Sequence, residues 1–165
     1  MLKKILFSLL TSVSLFVYAE EAQITGTVVP KCVINVDVPG VYGNPTPNAL
    51  STLTDDGGVA PIVRFDIVQP GYYKAKITAP ENFSSSPTLS DSVSWTGTTV
   101  VDQVTDAEMS VFTDTKVSYD NVTEFDLTVG GSVWFKTDST VTYGVNKAFP
   151  AGTYTSVVVA ECIAK

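Results

Sequence analysis

From Ile24 onward the chain is a succession of short runs in which apolar and polar side chains alternate, separated by Pro, Gly, Asn, Asp and Ser. Alternation with a period of two marks a half-buried strand, because successive side chains leave opposite faces. Ile24–Val38 is a first extended region, divided at Pro30, and Pro39–Pro61 is rich in turn residues. Ile62–Ile67 and Tyr72–Ala79 flank Gln69-Pro70-Gly71 and read as a hairpin. After a Ser-rich loop at Asn82–Pro87 comes a strand at Val93–Val101, and Asp102–Glu108 is the one stretch suited to a helical turn. Met109–Asp114 reads as a strand that Lys116–Tyr119 extends. Glu124–Val129 and Ser132–Thr137 flank Gly130-Gly131, a hairpin signal, and Thr140–Val145 is a further extended piece. About eight short strands with turns between them predict an all-β sandwich. No repeat or linker interrupts the pattern, so residues 20–165 read as one domain.

The closing run is the most apolar. Pro150 and Gly152 make a turn, and a strand then places Tyr154, Ser156, Val158, Ala160 and Cys162 on one face. Thr155, Val157, Val159, Glu161 and Ile163 take the other. A strand apolar on both faces is either central in its sheet or covered by something else.

Residues 1–19 have the plan of a secretory signal: Lys3 and Lys4, an apolar stretch from Ile5 to Val17, and a small-residue site at Val17-Tyr18-Ala19. The other reading is a membrane anchor, for which the stretch is short. Cleavage starts the mature chain at Glu20, with 8 basic against 17 acidic residues and no further segment that could span a membrane. This acidic balance argues against a nucleic-acid partner, which needs Lys and Arg at phosphates. In an exported chain the two cysteines, Cys32 and Cys162, read as a disulfide closing nearly the whole domain. The alternative is two buried free thiols.

No enzyme is expected. The chain has no histidine, the commonest general base and metal ligand, and no nucleophile elbow or phosphate loop. Asp55-Asp56 and the group Asp102, Asp106 and Glu108 lack the alternating ligands of a calcium loop and read as solvated turns, so neither metal nor cofactor is expected. Trp95, Trp134, Tyr72, Tyr73 and Phe83 are either strand core or, as the alternative, a sugar-binding platform.

The order of the pieces resembles chaperone–usher pilins, most closely the archaic branch that includes spore coat protein U-like domains. The similar stretches are Val28-Val29-Pro30-Lys31-Cys32-Val33-Ile34, the turn Val41-Tyr42-Gly43-Asn44-Pro45, and the strand–turn–strand from Val63 to Ile77. Val111-Phe112-Thr113-Asp114 looks like a family strand, and Pro150–Val159 like the family's closing motif. One departure stands out: the family's second cysteine lies near Asp66 or Ile67, whereas this chain has Cys162.

The resemblance implies an incomplete immunoglobulin-like sandwich lacking its final strand. It implies a groove along the last strand, at Tyr154, Val157, Val158, Val159 and Ala160. A periplasmic chaperone would fill the groove first. At the outer-membrane usher the leading segment of the next subunit would replace it, building an extracellular fimbria for adhesion or biofilm support. The candidate donor strand is residues 20–29, with Ala22, Ile24, Gly26 and Val28 on one face and Gln23, Thr25 and Thr27 on the other. The competing reading of this segment is an ordinary first strand paired in its own domain. The competing reading of the protein is a self-contained secreted module or tip adhesin recognising a glycan or surface.

Overall fold

A computed structural model describes residues 23–27 and 31–165. The expected signal segment lies outside these residues, as do Ala22 and Val28 of the candidate donor strand.

The fold is all-β: two antiparallel sheets facing each other across an apolar core. The first is organised around β9 (Gly131–Tyr143), whose Val133, Phe135, Thr137, Ser139, Val141 and Tyr143 alternate inward as buried residues. On one side β9 pairs along most of its length with β6 (Val93–Val104). On the other it pairs first with β4 (Ile62–Ile67) and then with the short β3 (Ala49–Ser51). Beyond these lie β1 (Cys32–Val38), paired with β4, and β2 (Gly43–Thr46), paired with β3. The second sheet has the order β10 (Val159–Ala164), β5 (Tyr73–Thr78), β8 (Val122–Asp126), β7 (Val117–Tyr119). Phe65 and Phe135 from one sheet meet Phe125 from the other, the Phe125–Phe135 centroids lying 4.3 Å apart, and Ile77 and Val133 are fully buried with them.

The expected strands at Ile62–Ile67, Tyr72–Ala79 and Val93–Val101 form, but both expected hairpins are corrected. β4 and β5 belong to different sheets, and so do β8 and β9. The turns at Gln69-Pro70-Gly71 and Gly130-Gly131 therefore carry the chain across the core. Thr140–Val145 is no separate piece; most of it continues β9. Met109–Asp114 is helical: a 3-10 turn at Ala107–Ser110 leads into α1 (Val111–Thr115). Met109 and Phe112, three residues apart, both point into the core at zero exposure, and the Asp106 carboxylate accepts the Glu108 N–H at 2.9 Å as a cap. The family-like strand at Val111–Asp114 is thus absent.

The closing strand is shorter than expected: only Val159–Ala164 joins a ladder, and of the two places open to it, it takes the sheet edge. The face assignment holds: Tyr154, Ser156, Val158, Ala160 and Cys162 are half-buried, while the residues between them are exposed. Cys32 and Cys162 form the expected disulfide, with Cα atoms 6.4 Å apart and a sequence separation of 130. Ile67 stands opposite Cys32 in the β1–β4 register. Where the family would place a second cysteine within the sheet, this chain has Ile67 and bonds Cys32 across to the other sheet.

Candidate functional site

β1 and β10 are edge strands of opposite sheets and run along the same side of the molecule. A free strand edge exposes a row of N–H and C=O groups, so each sheet presents one here. At the Cys32–Cys162 end the seam between them is shut. Cys32 is only 7% exposed, and Ile34, Ala160 and Cys162 pack on the core. Farther along β1, Val36 is 69% exposed although alternation puts it on the same side as Cys32 and Ile34.

Val36 lines a cavity of about 570 Å³ that opens where the two strands part. Its floor comes from the first sheet, through Leu50, Thr52, Val63 and Ser139. One rim is the stretch from Val36 to Tyr42, and the other is Gly152 and Tyr154–Val158. The lining is mainly apolar, with one polar station. The Tyr42 hydroxyl lies 2.7 Å from Ser156 Oγ and 3.2 Å from Ser139 Oγ, so its side chain reaches from one rim to the other.

Local backbone contacts set Tyr42 in place. Val41 exchanges two 2.8 Å hydrogen bonds with Val59. Gly43 lies so close to the next loop that a Cβ there would run into the Asp56 carbonyl. On the other rim Thr155 is tied to the loop before β6 by bonds to Ser84 and Ser85. Among the described residues, Ser156, Val157 and Val158 make no backbone hydrogen bond outside the strand ladders. Val157 and Val159 are 56% and 46% exposed on the outer side.

Tyr154 anchors the upper end. Its ring packs against Phe83 and Phe149, both at 5.1 Å, and its hydroxyl donates to the Pro150 carbonyl at 2.6 Å. Burial, with a smaller contribution from Tyr143, pushes the hydroxyl pKa above the usual tyrosine value, which keeps it a neutral donor.

The residues weighed as a sugar platform do not share a surface. Phe83 and Trp95 pack on each other at 4.7 Å. Trp134 projects from the outer face of β9, under the Arg64 guanidinium and bonded through Nε1 to Asp37. Tyr73 packs on the core, while Tyr72 is 61% exposed. Among the described residues no group of three or more His, Cys, Asp or Glu could hold a metal, and no helix is long and apolar enough to cross a membrane.

Of the positions singled out from sequence, Tyr154, Val157 and Val158 line the groove. Val159 lies on β10 facing outward, and Ala160 lies past the closed point of the seam. From the donor segment, Gln23–Thr27 stands clear of the domain: Ile24 is 99% exposed, and no atom lies within 4 Å of where a Gly26 Cβ would sit. It neither fills its own groove nor pairs as a first strand. Sequence reasoning missed Tyr42 and Ser139 as lining. The signals were there: Tyr42 sits in the family-like turn, and Ser139 falls in phase with the inward face of β9.

No family model, no curated protein and no solved structure matches the chain.

Proposed function

We propose that the chain is a structural subunit of a surface fimbria. In this reading the β1–β10 groove accepts residues 20–29 of another copy as its missing strand. The observation that carries this is the rim Ser156–Val158, whose backbone has no hydrogen-bond partner among the described residues and borders a mainly apolar groove spanned by the Tyr42–Ser156 side-chain bond. The core around Phe65, Phe125 and Phe135 is otherwise closed. An exposed edge over apolar surface is an aggregation template unless something occupies it. An extended segment that adds main-chain hydrogen bonds and seats alternate side chains is the natural occupant.

The strand orders support the immunoglobulin-like part of the reading. The path β1-β4-β9-β6 in one sheet, from which β3 and β2 branch, and β10-β5-β8-β7 in the other are compatible with that plan if the strand beyond β10 is taken as the missing one. The chain's own leading segment supports the choice of occupant, because it alternates, carries a bare Ile24 and enters β1 at the end where the seam is shut. Joining copies head to tail gives a contact that does not close, hence a filament. On this account the signal segment directs export, a periplasmic chaperone caps the groove, and an outer-membrane usher exchanges the cap for the next subunit.

The test is deletion of residues 20–27. Electron microscopy should show fibres for the full mature chain and none for the truncated one, which stays soluble only with a chaperone or an added 20–29 peptide. Fibres without the segment would overturn the proposal. A truncated chain that folds as a stable monomer on its own would favour a self-contained secreted binding module.

A further inference from the structure

The seam between β1 and β10 is closed by a covalent bond at one end only. On the β10 side the cavity lining begins at Gly152 and stops at Val158; Ala160 and Cys162 do not take part. On the β1 side it includes Val36 and the turn to Tyr42, but neither Cys32 nor Ile34. Inward exposure follows the same gradient, from 7% at Cys32 to 69% at Val36. A strand lying along Tyr154–Val158 therefore meets Ile34 and Ala160, each packed down on the core, and behind them the disulfide with its Cα atoms 6.4 Å apart. Adjacent strands in a sheet stand about 4.8 Å apart, so a strand inserted between two others needs roughly twice that gap. The cross-linked ends do not leave it.

We infer that the Cys32–Cys162 disulfide is a stop that sets the register of the inserted strand. This rests on the strand-accepting reading above. The stretch Tyr154–Val158 is five residues long, about 13 Å from first to last Cα. It pairs with a similar length of the incoming segment and exposes three alternate side chains to the floor. Residues 20–29 of a second copy offer two such windows free of charge, Ala22, Ile24 and Gly26, or Ile24, Gly26 and Val28; a third, Glu20, Ala22 and Ile24, would put a carboxylate in the groove. Ile24 belongs to all three. The rest of the segment stays outside the groove and serves as a joint between subunits.

Residue-resolved amide exchange tests this on the full mature chain, isotope-labelled and kept dilute enough to show no fibres, with and without an unlabelled peptide of residues 20–29. The expected result is exchange slowed about tenfold or more within Ser156–Val158, with no change at Glu161–Ile163. Protection that runs on through Ile163 overturns the stop while leaving the groove as a strand acceptor. A peptide that binds nowhere along Tyr154–Val158 overturns both. A Cys32→Ser/Cys162→Ser chain adds a readout that a merely stabilising bond would not move: the protected stretch should lengthen past Ala160. If that chain folds and the protected stretch keeps its length, the bond is not the stop.

Discussion

The two halves of the β1–β10 seam are built from the same two strands and differ in what each inward residue meets. At the lower half Cys32 meets Cys162, and Ile34 and Ala160 settle on a core that includes Ile77 and Phe125. At the upper half Val36 and Val158 line the cavity, Val158 with one side still on the core, and Tyr42 reaches over to Ser156. A sandwich edge can thus be sealed by side chains and a cross-link where two sheets converge. Where they part it needs another strand. The difference teaches that alternation alone does not settle burial: Val36 has the right phase and remains 69% exposed, at the rim of the cavity.

The largest expected effect lies in the lower half. Replacing both cysteines by serine frees a loop of 130 residues, which in the chain-entropy model costs about 5 kcal/mol. Urea unfolding of the double variant should show that loss, and a loss below about 1 kcal/mol would mean the seam is held shut by packing alone. Next comes the contrast between core and groove. Phe135→Ala, at zero exposure, should cost about 3–5 kcal/mol. Val158→Ala in an isolated subunit should cost about 1 kcal/mol, since one side of Val158 faces the empty groove. Adding a 20–29 peptide should widen the Val158→Ala deficit and leave that of Phe135→Ala unchanged. Equal deficits in the free subunit would mean the upper half is already closed.

The smallest effect lies on β8, two strands away from β10. The Glu124 carboxylate accepts the Tyr119 hydroxyl at 2.8 Å and pairs with Lys74 at 3.2 Å, and these bonds hold its pKa below the ordinary 4.5. A depressed carboxylate stabilises above its unfolded pKa and loses that contribution as pH falls through the folded value. Glu124→Gln should therefore flatten the acid side of the stability curve below about pH 4.5, and leave peptide binding at the groove as it was. A weakened groove in that variant would couple two regions that this account keeps apart.

Much of the seam was legible in the sequence. The inward set Tyr154, Ser156, Val158, Ala160 and Cys162 follows from alternation, and the disulfide from two cysteines in a chain read as exported. Strand partners were not legible. Gln69-Pro70-Gly71 and Gly130-Gly131 are good turn chemistry, but a turn between neighbours and a turn between sheets use the same residues. Only the long-range pairing of β4 with β1 and β9 decides between them. Met109–Asp114 is apolar enough to read as a strand, but Met109 and Phe112, three apart, share a face only in a helical turn, and the Asp106 cap was the signal for one. The cavity itself depends on where the two edge strands diverge, and no local pattern encodes that.

The most direct test of the central claim is a photo-crosslinking residue at position 24. Equal parts of ¹⁴N- and ¹⁵N-labelled chains are mixed before assembly, and the crosslinked peptides are mapped by mass spectrometry. The account predicts mixed-isotope crosslinks joining position 24 of one copy to Val36–Tyr42 or Tyr154–Val158 of another. Crosslinks confined to a single copy, or mixed crosslinks landing outside the groove, would contradict it.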